Sequence, residues 1–410
     1  MRRNLHRKVQ VALALLTLVQ VIIWKKTVLV GRRRPVPVVD DDDLNNLAGS
    51  SRGPSHGPHK HGNVSMHVSD ANIQQEQKFQ VLTPNNNTST SAPEPCALLF
   101  FGLVVEFKST VLPSIQKNII GPNQHCDIFL HTYNLTHVPK NPRGRESGKS
   151  TTNVEDAYLL LAKYGGDVNA DDHIVMESLD SFYRQRAEDI NRTRQNYHTL
   201  WETFCCISHD NMIKQWNSIE GAWDLMRAHE KRMLSGGLTS DTTIGKNDNA
   251  HDNTYYKYVG LFRSDVFFMT PIEVSSGAKA IVPKFNSAYG YNDRMFVGTY
   301  EWAKVWAAKR FDFIPEFEET YMLKPGDMPP VDGFHSEFFL KTLLDHYKVP
   351  VVRDTTICFM RIRTGPRILQ NDCGEYPEFA TVKKMAKYLP ENITLGVQGW
   401  DGEQNIGWGS

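Results

Sequence analysis

The sequence has no surplus of charge. Its 410 residues carry 46 Lys and Arg against 46 Asp and Glu, so nothing in the balance prepares a nucleic-acid partner. Long apolar runs are scarce as well. The exception is Val9 to Trp24, which holds no charged residue, follows Arg2, Arg3, Arg7 and Lys8, and is closed by Lys25-Lys26. The run is short for a bilayer span, and Thr27 to Gly31 extend it if the two lysines snorkel to the interface. No small-residue cleavage pattern follows it, so it reads as a retained signal anchor and not as a removed signal peptide. Basic residues flank both ends, and charge alone does not orient it.

Large apolar residues are sparse from Pro35 to Pro95, where Asp, Asn, Ser, Pro, Gly and His dominate. Such a stretch cannot offset the entropy of folding and reads as a disordered stem. His56, His59, His61 and His67 lie in it without partners at zinc-like spacing, which leaves a solvated linker. A phosphate-binding loop is missing too: Gly144 to Ser150 has only Arg-Glu-Ser between its glycines and no strand directly in front. The asparagines supply a positive signal. Asn63, Asn86, Asn87, Asn134, Asn191 and Asn392 each head an Asn-x-Ser/Thr triplet, and chance yields roughly one per couple of hundred residues. The layout expected is therefore type II: a cytosolic tail at 1–8, an anchor at 9–30, a stem at 31–95, a lumenal domain at 96–375 and a tail at 376–410, in the Golgi or endoplasmic reticulum membrane.

The folded domain is expected to begin with a buried strand, Cys96 to Phe101, closed by Gly102. A helix from Phe107 to Ile120, interrupted near its start by Pro113, and a second strand, Cys126 to His131, complete a right-handed parallel unit. Cys96 and Cys126 then sit at one sheet edge within bridging reach, which an oxidising lumen permits. Cys358 with Cys373 is the second expected pair; Cys205 and Cys206 are unassigned. Met212, Trp216, Ile219, Trp223 and Met226 fall on one helical stripe, with Asp210 as a cap, and that helix should cover the sheet behind the Tyr258 strand. Residues 235–253 form a Gly/Ser/Thr/Asp/Asn insertion read as mobile.

The chain's centre is an apolar run, Tyr258-Val259-Gly260-Leu261-Phe262, that stops at Arg263-Ser264-Asp265. A buried strand ending this way delivers a carboxylate to the sheet rim, where α/β proteins bind ligands. After the strand Ala280 to Pro283 comes a loop from Tyr289 to Gly298 with Asn292-Asp293-Arg294 at its centre. Later, Asp332, His335 and Glu337 straddle a helix start, and Arg361 and Arg363 end a late strand.

In order and spacing these features resemble glycosyltransferases of the nucleotide-diphospho-sugar transferase type (GT-A), in particular a plant and algal group related to bacterial polysaccharide-synthesis enzymes. The resemblance spans Cys96 to Asp372 and rests on Cys96 to Gly102, Phe107-Lys108, Val111 to Ile115, Cys126 to Tyr133, the Gln215 helix, Tyr258 to Asp265, Asn292 to Arg294 with Gly298, and His335-Ser336-Glu337. It implies an α/β fold with a Rossmann-like, mostly parallel central sheet flanked by helices, and transfer of a sugar from a nucleotide-diphosphate donor to a glycan acceptor. Asp265, Asp293 and Glu337 are the implied catalytic carboxylates. Arg263, Asn292, Arg294, Arg361 and Arg363 are the implied donor contacts, and Asp265 with His335 the implied ligands of Mn or Mg. Two departures stand out. Relatives often carry an Arg shortly after the first-strand glycine, where this chain has Val104-Val105-Glu106, and many hold the metal with Asp-x-Asp, where this chain has Arg263 first. That Arg can itself grip a diphosphate and lessen the need for metal. Two other readings remain open: a Golgi sulfotransferase, using Gly102 and Lys108-Ser109-Thr110, and a non-catalytic carbohydrate-binding relative.

Overall fold

A parallel strand covered on both faces has no polar side to show, which is why β1 (Cys96–Phe101) is apolar at every position and buried at every position. The computed structural model describes residues 93–138, 152–197, 205–236, 254–275, 279–285, 287, 290–322, 333–363, 367–369 and 394–396. The anchor at 9–30, nearly all of the stem, the 144–150 loop, most of the insertion, Asp332, Cys373 and the asparagines at 63, 86, 87 and 392 lie outside them. No described helix is long and apolar enough to cross a membrane.

The strands that follow β1 are β2 (Asp127–Tyr133), β3 (Ile174–Glu177), β4 (Tyr258–Arg263), β5 (Val266–Phe268), β6 (Ala280–Pro283), β7 (Met295–Thr299), β8 (Val351–Asp354), β9 (Phe359–Arg363), β10 (Arg367–Leu369) and β11 (Thr394–Gly396). Seven of them form the central sheet in the order β3-β2-β1-β4-β7-β6-β8. Only β7 runs against its neighbours, so the sheet is mostly parallel, as expected. Alternate β1 residues feed two cores. Ala97, Leu99 and Phe101 join Phe129, Val259, Leu261 and Phe296 on one face; Leu98 and Phe100 join Ile128, Leu130, Phe262 and Met295 on the other.

The register of β1 on β2 sets Ala97 opposite Asp127, which leaves Cys96 and Cys126 level, and the two are joined by a disulfide with 4.6 Å between Cα atoms. Cys358 is buried and also disulfide-bonded. Pro113 does not interrupt a helix. It sits in the first turn of Leu112–Ile115, where a missing N–H costs little, and a wider turn at Phe107–Val111 leads into it.

The long helix Cys205–Gly236 buries all five stripe residues, each contributing about 1.5–3 kcal/mol relative to exposure. It lies across β1 and β2, and its Ile219, Trp223 and Met226 share a core with Val259 and Leu261 of β4 on that face of the sheet, as expected. Asp210 falls inside the helix and caps nothing; it accepts from Arg194 Nη2 at 2.8 Å and lies 3.1 Å from His209 Nδ1. Ser235 and Gly236, expected to open the insertion, are the last residues of this helix. Four strands, β5, β7, β10 and β11, appear where none is legible. Met295–Thr299 continues directly from the polar loop; a Cβ on Gly298 would come within 2.9 Å of the Phe296 ring, so the glycine that marks a loop in the sequence is there for packing. Thr394–Gly396, in the supposed tail, pairs with β10 in a second sheet ordered β11-β10-β9-β5.

The helix runs close against β2 at Gly221, where an added Cβ would meet His131 Cδ2 at 2.3 Å. Alanine is the better helix former by about 1 kcal/mol, but overpacking costs about 1–3 kcal/mol. Gly221→Ala is therefore expected to lower the melting temperature; an increase would show that the helix is free to back away from β2.

Candidate active site

Because β4 and β7 pair antiparallel, the end of one meets the start of the other. Phe262 stands opposite Met295, and the Arg263 amide donates to the Arg294 carbonyl at 3.1 Å. Arg263-Ser264-Asp265 and Asn292-Asp293-Arg294, two separate stretches in the sequence, are thus cross-strand neighbours at the carboxyl rim of the parallel strands. Ser264 is fully buried, and its hydroxyl lies 3.0 Å from the Phe101 carbonyl and 2.9 Å from that of Leu103, which fastens the β4 end to the β1 end.

Asp265 turns into a guanidinium fork. Arg263 Nε and Nη2 donate to its two oxygens, each at 2.6 Å. β5 continues from Asp265 and pairs with β9, setting Val266 opposite Arg361, and Arg363 Nη1 reaches Asp265 Oδ2 at 3.6 Å. The two arginines of the late strand therefore converge on the β4 carboxylate from the second sheet. Burial works against the charge on Asp265, but Arg263, Arg363 and Arg361 outweigh it and hold the carboxyl below the usual carboxylate range.

Asp293 is organised from three directions. Gln215, on the long helix, donates through Nε2 to the Asp293 carbonyl at 2.9 Å and to Oδ2 at 3.2 Å, while its Oε1 accepts from Arg263 Nη1 at 3.2 Å. Ser336, the first residue of helix Ser336–His346, donates its hydroxyl to Asp293 Oδ2. Burial again raises the pKa, and Arg294, Ser336, Arg263 and Arg310 together bring it below the usual range. Glu337 lies 3.8 Å from Arg294 Nη2. Its carbonyl accepts from the Tyr291 amide at 3.1 Å, and a Cβ on Gly290 would sit 1.9 Å from that carbonyl, so only glycine lets the loop press onto the helix start. Asn292 is fully buried with both ends of its amide spent on backbone: Oδ1 accepts from the Arg294 amide at 3.0 Å and Nδ2 donates to the Phe285 carbonyl at 2.9 Å. It shapes the turn and presents nothing to a ligand. His335 stands before the helix in an extended backbone conformation without capping it through its side chain.

The rim thus gathers Asp265, Asp293, Glu337, Arg263, Arg294, Arg361 and Arg363. Three contributors carry little sequence signal. Gln215 and Ser336 act through hydrogen bonds, three made by the Gln215 amide and one by the Ser336 hydroxyl. Arg310 is 1% exposed and donates Nε to the Trp306 carbonyl at 3.0 Å. A trace of Arg310 was legible: it follows Trp302 and Trp306 at helical spacing, which places it on the buried stripe.

The donor set does not fit a divalent cation. Both Asp265 oxygens already accept from Arg263, and the guanidinium groups around them repel a metal ion. Among the described residues the one trio at metal-ligating spacing is Cys96, His125 and Cys126, whose sulfurs form the disulfide. A phosphosulfate cradle after β1 fits no better. Val104 and Val105 are buried there, Glu106 follows in a left-handed conformation, and Lys108 is exposed.

No family model matches this sequence, and neither does any curated protein. Among solved structures, mouse xyloside xylosyltransferase 1 in its apo form is similar over 64% of this chain and 85% of its own, at 8% identity and a TM-score of 0.28. A likeness at that score does not discriminate between folds.

The depressed pKa of Asp265 has a definite sign in stability. Its contribution is complete above the unfolded carboxylate value of about 3.9 and is lost as pH falls towards the lower folded value. Asp265→Asn should cost about 3–5 kcal/mol at neutral pH, since it strips a buried ion pair of its anion. It should also flatten the drop in melting temperature between roughly pH 5 and 3; an unchanged acid slope would remove the ion-pair account.

Proposed function

We propose that this chain is a glycosyltransferase that moves a sugar from a nucleotide-diphosphate donor to a glycan or glycoconjugate acceptor. One observation carries the reading: buried carboxylates and an excess of arginines converge where the parallel strands end, a place suited to an activated sugar and its diphosphate. The order of motifs from Cys96 to Glu337 supports it independently. In this reading Arg263, Arg294, Arg361 and Arg363 face the diphosphate, and Asp293, kept ionised, accepts from a sugar hydroxyl.

Proton transfer falls to Glu337. A carboxylate held below its usual range is a weak base, which disfavours both aspartates. Glu337 stands at the helix start, 3.8 Å from Arg294 Nη2. The acceptor oxygen bonds to the anomeric carbon as the bond to the β-phosphate oxygen breaks; the diphosphate leaves with that electron pair, and the acceptor proton passes to Glu337.

We further propose a type II orientation with this domain in the Golgi or endoplasmic reticulum lumen. The disulfide at Cys96–Cys126 suits an oxidising compartment. The two described Asn-x-Thr asparagines, Asn134 and Asn191, are both exposed.

The test is a panel of nucleotide sugars offered to the full chain, with nucleoside diphosphate release and melting temperature as readouts. One donor class is expected to raise the melting temperature and to turn over; if none does either, the proposal fails. Glu337→Gln should lower kcat by about 10²–10⁴-fold with KM little changed. An equal loss carried by KM would make Glu337 a binding group.

A further inference from the structure

Arg263, Arg294, Arg310, Arg361 and Arg363 act on Asp265 or Asp293, and Glu337 lies beside Arg294. Of these arginines Arg310 lies deepest, at 1% exposure. Its guanidinium lies 4.4 Å from the Trp306 ring centroid, and beyond the Nε bond to the Trp306 carbonyl neither Nη1 nor Nη2 has a hydrogen-bond partner among the described residues. Burial pulls its pKa down to about 10, which still leaves it charged at neutral pH, and the carboxylate acting on it is Asp293. That carboxylate already accepts from Gln215 and Ser336. Two charged donor groups taken out of water need acceptors, and an oxyanion of multiple charge supplies several at once.

We propose that the rim binds the diphosphate of its donor through guanidinium groups alone, without a divalent cation, and that Arg310 is one of those groups. The inference rests on the reading of the donor given above and deepens it. Phosphate oxygens match the guanidinium fork in pairs, as the Asp265 oxygens do in the Arg263 fork. A metal ion serving the same diphosphate has to displace Arg263 from Asp265 and then sit beside Arg361 and Arg363.

Calorimetric titration of the full chain with inorganic pyrophosphate, once in EDTA and once in manganese, decides the matter. Affinity in EDTA is expected to fall within about threefold of that in manganese. Arg310→Gln should weaken binding about tenfold or more, and Arg310→Lys should recover part of the loss. Binding that appears only with manganese overturns the metal-free site, and a folded Arg310→Gln with unchanged affinity overturns the role of Arg310. If that variant does not fold, Arg363→Gln replaces it: full affinity there counts against the guanidinium site, and a loss of about tenfold supports it. The two readings fail separately. Metal-free pyrophosphate binding without turnover of any nucleotide sugar keeps the anion site and removes the transferase; turnover that requires manganese does the reverse.

Discussion

A carboxylate withdrawn from water keeps its charge only if cations stand beside it, and Asp265 and Asp293 are withdrawn almost completely. Much of the architecture at the rim follows from that requirement. β9 reaches back from the second sheet to bring Arg363 to Asp265. The Ser336 helix starts where its first hydroxyl meets Asp293. Gln215 on the long helix spans the two charged triplets, giving to one and taking from the other. Elements far apart in the chain are held in register by what two acids need in order to stay ionised.

The same arrangement separates two kinds of residue that a sequence shows as equals. Asp265 is spent on Arg263 and Arg363, so its work is to aim cations. Asn292 and Ser264 are spent on backbone and hold the two ends of the rim together. Glu337 and Arg363 are somewhat more exposed, at 12% and 15% of the side chain against 9% for Asp265. Chemistry therefore belongs with the second group, and preorganisation with the first.

Legibility followed range. The apolar run ending at Asp265 was readable because a strand buried on both faces is apolar throughout, and the five-residue stripe of the long helix because its period is local. The meeting of Arg263 with Arg294 was not, since antiparallel pairing between β4 and β7 leaves no mark inside either segment. Gly298 misled for a related reason: a glycine that makes room for the Phe296 ring looks the same in sequence as one that makes a turn. Arg310 was hidden among aromatics, where its spacing pointed inward and its charge pointed out. The seven-stranded order, with β4 beside β1, rests on contacts that no window of residues contains.

That last adjacency bears on how the chain is born. β1 pairs with β2 within a few dozen residues, but its other edge waits for β4, and the Ser264 hydroxyl that fastens them is 163 residues from Phe101. During synthesis the β1 edge is exposed for the whole interval, a template for wrong partners. Cys96 and Cys126 are 30 residues apart, so their bond closes a short loop and ties β1 to β2 through local contacts alone. The first two strands are thus covalently clasped by a link that needs nothing from β4.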